Sequence, residues 1–246
     1  MAFQHGKASK LLLNEYDISG FLSNVDFPRE VDTPDVTTFG NDDRKYIVGL
    51  RTMNMSLSGF WSGTSTLAID ALSTLLGQSS AVNVTYAPQG LTQPNVTYSI
   101  QAYKSNYTAS SPVDGAAAVT IDLQGHNTVS RGISLHTLTA RTSSGAGTAY
   151  NLGANTSGGA VAYLHATAVT LTATGTFTPT VQDSATCSAG SWTDLVAFTA
   201  ITSSNPTHQR KAVTGNVDQY VRTEWDRETT TNSAHSVTFT ITFEQL

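Results

Sequence analysis

Short stretches of alternating apolar and polar residues run through most of the chain. Met53, Met55 and Leu57 alternate with Asn54, Ser56 and Ser58. Val96, Tyr98 and Ile100 alternate with Thr97, Ser99 and Gln101, and Val119, Ile121 and Leu123 with Thr120, Asp122 and Gln124. Near the end, Val237, Phe239, Ile241 and Phe243 alternate with Thr238, Thr240 and Thr242. Successive side chains of a strand point to opposite faces, so each stretch predicts a strand with one buried face. The abundant Thr, Val and Tyr suit such a pleated surface.

One segment departs from this period. "SGTSTLAIDALSTLLGQ" places Leu67, Ala68, Ala71, Leu72, Leu75 and Leu76 at helical spacing. Thr64 or Ser65 supplies a cap and Gly77 a stop, so a packed α-helix is predicted over about 64–76. The expected fold is mainly β, a sandwich or barrel with that one helix, followed by a second β-sandwich-like module. The segment "GHNTVSRGISLHTLTARTSSGAGTAYNLGANTSGGA" is rich in Gly, Ser, Thr and Asn and reads as a linker with long loops around short strands. The expected modules are therefore 1–132 and 133–246. "RKYIVGL" at 44–50 faintly echoes "RKAVTGNV" at 210–217, a hint of duplication that no second helix supports.

Composition narrows the function. The chain has 246 residues, 13 Lys and Arg against 18 Asp and Glu, and a net charge of −5. Such a balance weakly repels nucleic acid. The lone Cys187 excludes an internal disulfide framework. No apolar run approaches a membrane span, and the three leucines at 11–13 are too short for a signal-peptide core, so a soluble chain made in the cytosol is expected. The histidines His5, His126, His136, His165, His208 and His235 show no metal-ligand spacing and read as surface or strand residues. There is no G-x-S-x-G elbow, and "SSGAGTAYNLG" lacks the phosphate-loop pattern. Trp225, Asp226 and Glu228 are the one group suggesting a sugar face or a glycosidase pair, and they suit a solvated rim better. No enzyme activity, cofactor or metal site is expected.

Charge is concentrated in "VDFPREVDTPDVTTFGNDDRKYIVGL", residues 25–50. It holds Asp26, Glu30, Asp32, Asp35, Asp42 and Asp43 against Arg29, Arg44 and Lys45, with Pro28 and Pro34 between them. The segment reads as two extended arms joined by a long loop, sparse in alternating apolar residues. A loop of that length in a compact domain is usually functional or ordered by a partner. Mixed charge suits a complementary patch on another copy, so these nine residues are the candidate inter-subunit contacts.

The order of elements resembles the tail tube proteins (major tail proteins) of long-tailed bacteriophages. The likeness lies in "LLLNEYDISGFLSNVDF", then "DVTTFGNDDRKYIVGLRTMNMSLSGFW", then the helix and the strands through Leu123. "VQDSATCSAGSWTDLVAFTAIT" and "QYVRTEWDRETTTNSAHSVTFTITF" resemble β-sandwich segments of related virion proteins. The resemblance implies subunits forming rings, usually of six, that stack into a tube, with a long loop reaching the neighbouring ring. A trimeric pseudo-hexamer is implied instead if the second module is a second tube domain; otherwise that module decorates the exterior. Implied partners are further copies of the chain, the tape measure protein, the tail terminator and baseplate or distal tail proteins. Double-stranded DNA would pass through the lumen on ejection without sequence-specific binding, and no membrane is involved. The implied location is the virion tail, after synthesis in the host bacterial cytoplasm. The alternative is a capsid decoration or carbohydrate-binding virion protein.

Overall fold

The computed structural model of the protein describes residues 6–62, 73, 76–171, 175–228 and 235–246. The helix expected at 64–76 lies, apart from Ser73 and Leu76, outside the described residues. In chain order the strands begin with β1 (Lys10–Leu13), β2 (Tyr16–Asp17), β3 (Leu22–Asp26), β4 (Arg29–Val31), β5 (Arg51–Phe60) and β6 (Val82–Ala87). They continue with β7 (Val96–Ser110), β8 (Ala118–Gly125), β9 (Ser130–Arg141), β10 (Gly145–Ala146), β11 (Tyr150–Asn151) and β12 (Ala160–Thr170). The last are β13 (Thr176–Ser184), β14 (Thr193–Ala197), β15 (Thr207–Val213), β16 (Tyr220–Glu228) and β17 (Ser236–Gln245).

These strands group into two compact units. One comprises Met1–Ser19, Asn83–Ser99 and Ser130–Leu246; the other comprises Gly20–Val82 and Ile100–Val129. β1, nearly all of β6 and the start of β7 thus group with the strands after residue 130.

The first unit is an antiparallel sandwich. One sheet runs β15-β12-β17-β9-β7-β6-β1-β2, with β7 taking part through Val96–Ser99. The other runs β10-β16-β13-β14, with β11 also on β16. Leu135, Leu164, Phe177, Val181, Val221 and Phe239 form the core between them. The Phe239 ring stacks on His136 at 4.1 Å and meets Phe177 edge-on at 5.2 Å. Such arrangements satisfy the ring quadrupoles as well as burying area.

The second face of the larger sheet holds a chain of polar groups instead. Asn14 sits in the turn between β1 and β2 with φ of 54°, a conformation asparagine tolerates. Its side chain accepts from the Asn83 N–H at 2.8 Å, and its carbonyl faces His165 Nδ1 at 2.5 Å. His165 therefore donates from Nδ1 and accepts at Nε2 from Thr85 Oγ1, 2.8 Å away. Thr85 then accepts from Ser99, and Ser99 from Thr242, each at 2.9 Å. All five side chains are buried, so the polarity costs little only because each bond in the chain is made.

This explains two departures from the expected pattern. Thr97 and Ser99, expected on an exposed face, are buried, while Val96 and Tyr98 are half-exposed. In β17 both faces are covered from Phe239 to Phe243. The stretch read as linker and loops contains the 12-residue strand β9, paired with β17 and β7. Its Ser and Thr content hides a central strand, because Ser134 is buried by bonding the Leu91 and His136 carbonyls.

In the second unit, β3 and β4 both pair with one edge of β5, β8 pairs with its other edge, and β7 pairs with β8 through Ala102–Ser110. Met53, Met55, Leu57, Val119, Ile121 and Leu123 are buried on one face, as their period of two predicts.

Candidate functional site

Beyond β4 and β5 the backbone continues as a two-stranded arm. The pairs Arg29–Met53, Glu30–Thr52 and Val31–Arg51 set its register at the root. Further out, the Asp32 N–H donates to the Leu50 carbonyl at 2.9 Å and the Gly49 N–H to the Asp32 carbonyl at 2.6 Å. Gly49 and Leu50 therefore both face Asp32, a β-bulge that shifts the register by one. A Cβ on Gly49 would lie 2.9 Å from the Asp32 Cβ, which is why a glycine stands there. Past the bulge, Ile47 N–H donates to Pro34 O at 3.2 Å, Val36 N–H to Lys45 O at 2.8 Å, and Asp35 pairs with Tyr46. Pro34 accepts from Ile47 but has no N–H to return the bond to the Ile47 carbonyl, so this rung of the ladder carries one bond instead of two.

The two extended arms thus pair into one bulged hairpin, and about Thr37–Arg44 form the loop at its tip. There the Asp35 carboxylate accepts from the Thr37 N–H at 2.8 Å and from its hydroxyl at 2.5 Å. These bonds hold the Asp35 carboxyl below its usual pKa. The Lys45 N–H donates to Thr37 Oγ1 at 2.9 Å, and Asn41 Nδ2 donates to Thr38 Oγ1 at 2.7 Å. The tip is organised by its own side chains.

All nine charged candidates, Asp26, Arg29, Glu30, Asp32, Asp35, Asp42, Asp43, Arg44 and Lys45, are exposed. Among the described residues the ion pairs are Lys10–Asp17 at 2.9 Å and His208–Glu15 at 2.7 Å; neither involves the arm. The structure brings Arg29 and Glu30 together at the root and Asp42, Asp43 and Arg44 at the tip.

Charge is only half of the arm's character. Val31, Val36, Phe39, Tyr46, Ile47, Val48 and Leu50 are all exposed, with Phe39 at 113% and Val48 and Leu50 at 78%. Alternation from the observed register puts Val31, Tyr46 and Val48 on one face and Val36, Ile47 and Leu50 on the other. The arm is apolar on both sides and leaves both in water. The sequence signal was the continuous run Tyr46-Ile47-Val48, which marks a strand covered on two faces.

At the root of the arm lies an open cleft of about 770 Å³. Arg29, Glu30, Val31, Arg51 and Met53 form one side, and Gly125–Val129 the other. Gly125 keeps that side close, since a Cβ there would stand 2.9 Å from Ile100 Cδ1. The His126 N–H donates to Gln101 O at 2.8 Å, and Asn127 Nδ2 bonds Gln101 Oε1 at 2.8 Å. The loop is thereby pinned to β7.

No protein-family model matches the chain, and no curated protein matches it. Among solved structures the chain is similar to the SPP1 tail tube, with a TM-score of 0.46 and 12% identity over 55% of this chain and 83% of that one. It is also similar to a chain in the virion of a native gene transfer agent particle, with a TM-score of 0.44 and 13% identity over 52% and 98% of the two chains. A third likeness is to the SPP1 Dit protein, described as a hub adsorption apparatus of phages infecting Gram-positive hosts. Its TM-score is 0.37 at 14% identity, over 96% and 98% of the chains. These scores lie below 0.5, so the functional reading rests on the chain's own residues and geometry.

The remaining candidates are absorbed by the fold. Trp225 is buried in the sandwich core, donating from Nε1 to the Ser143 carbonyl at 2.8 Å, and so presents no platform to a sugar. Asp226 accepts from Ser144 Oγ at 2.9 Å. The Glu228 side chain lies outside the described residues. His136 and His165 are strand residues, in β9 and β12, and both are buried rather than on the surface. Burial pushes both down to about 4, with Arg141 adding to the effect at His136. Among the described residues no three His, Cys, Asp or Glu side chains converge as metal ligands, and no helix is long and apolar enough to cross a membrane.

Proposed function

We propose that the chain is a structural subunit of a phage tail tube, which assembles with further copies of itself through the arm. The observation that carries this is the arm itself: six large apolar side chains exposed on its two faces and Phe39 exposed at its tip, and nine charges that form no ion pair among the described residues. Exposed apolar surface concentrated in one element marks an interaction site. A two-stranded ribbon gains independent stability only by packing against something else. The mixed charges then fix register and orientation. The order of elements that resembles tail tube proteins supports the same reading.

In this proposal the subunits form hexameric rings, or trimeric pseudo-hexamers, that stack into a conduit for double-stranded DNA. The tape measure, tail terminator and baseplate proteins meet its ends or lumen, and the virion tail is its location. The net charge of −5 favours a lumen along which DNA slides without counterion-releasing contacts. Sedimentation and negative-stain imaging of the purified chain test the proposal. Long tubes of constant diameter are expected above a critical concentration. A chain that stays monomeric at every concentration overturns it.

A further inference from the structure

The arm has two unsatisfied ends, and they are complementary. Its root cleft holds Arg29 and Arg51 with Glu30 beside them, over the apolar Val31 and Met53. Its tip holds Asp42 and Asp43 with Arg44 beside them, next to the fully exposed Phe39. The root thus presents two positive charges and one negative, the tip two negative and one positive, and each set surrounds apolar atoms. None of these six charges forms an ion pair within the described chain.

The two ends cannot meet in one molecule. From Val31 to Val36 the ladder holds the strands extended, a reach of roughly 17 Å at about 3.3 Å per residue, and Phe39 lies beyond it in the turn. The backbone bonds at Asp32, Pro34 and Val36 keep the arm from folding back on its own root. A second copy can supply the missing partner. A cleft of about 770 Å³ has room for a phenylalanine and the charged side chains flanking it.

We propose that the tip of one copy's arm seats in the root cleft of the next. Phe39 lies on Val31, Asp42 and Asp43 face Arg29 and Arg51, and Arg44 faces Glu30. The contact is heterologous: each copy gives a tip and receives one, so the contacts propagate as a ring or a filament. This rests on the assembly reading above and specifies its partner surface.

Cross-linking tests it in a Cys187→Ser background, which removes the exposed native thiol. Phe39→Cys and Thr128→Cys, both at exposed positions, are placed on one chain and oxidised. A ladder of covalent oligomers on a non-reducing gel is expected, whereas a mixture of the two single variants stops at dimers. A charge exchange is the second arm of the test. Asp42→Lys with Asp43→Lys, or Arg29→Glu with Arg51→Glu, should each raise the critical concentration at least tenfold. All four changes on one chain should restore it. Tubes that form normally without the ladder, or an exchange that rescues nothing, overturn the tip-in-cleft contact alone. A parent chain that forms no tubes overturns the assembly reading instead.

Discussion

Replacing Ile47, Val48 and Leu50 together by threonine separates assembly from folding. In the single subunit these side chains are 54%, 78% and 78% exposed, so their loss removes little packing. Threonine keeps the strand preference of the arm. Stability of the unassembled subunit should therefore change by no more than about 0.5 kcal/mol per site. In the assembled state the same area leaves water. Burying one aliphatic side chain of this size contributes about 1.5–3 kcal/mol relative to full exposure. Scaled by the exposed fractions, and with threonine retaining part of the area, the triple change costs about 3 kcal/mol per arm contact. That is a fall of roughly 150-fold in the association constant. Pelleting across a concentration series reads the critical concentration, and thermal melting of the dilute subunit reads the fold. An unchanged critical concentration alongside an unchanged melt would refute the reasoning, because the apolar faces would then be solvent-exposed in the polymer too.

Three further outcomes follow from the same geometry. Replacing Asp32–Leu50 by an Asn-Gly turn closes the arm at the Val31–Arg51 pair; the subunit should melt as before and form no tubes on negative stain. His165 and His136 are neutral in the fold with pKa near 4 against 6.5 unfolded, so their stabilising contribution is complete above about pH 6.5 and falls as pH drops towards 4. Urea titrations at pH 7 and 4.5 should differ by about 3 kcal/mol per histidine at most, with acid the less stable, and a flat profile contradicts the buried neutral assignment. Phe239→Ala empties the space between His136, Phe177 and Trp225, and should lower the unfolding free energy of the sandwich by about 3–5 kcal/mol in the same titration.

The sequence was most legible where a strand has one covered face. Met53, Met55 and Leu57 in β5, and Val119, Ile121 and Leu123 in β8, are buried at every second position as their alternation predicts. The charged arm was also visible as a place, with its nine residues and its two prolines. Its form was not. Nothing local shows how the two arms pair, because the bulge lies in Gly49 and Leu50 both facing Asp32. Its apolar run Tyr46-Ile47-Val48 lies in the sequence too, but a strand apolar on both faces does not alternate.

What stayed hidden depends on partners distant along the chain. His165 bonds Thr85, 80 residues away, and Asn14, 151 residues away, and no window around residue 165 contains that information. β9 was concealed for the same reason: its serines and threonines are polar by composition and buried by virtue of carbonyls and hydroxyls that only folding brings to them. The chain's periodicities, its turn residues and the position of its charges are properties of neighbouring residues, and the sequence determines them alone. Which strand gains a second covered face, which polar group finds its acceptor and which apolar face is left in water are decided by long-range pairing. In the arm that pairing ends with both faces uncovered, and the cover proposed for them is another copy of the chain.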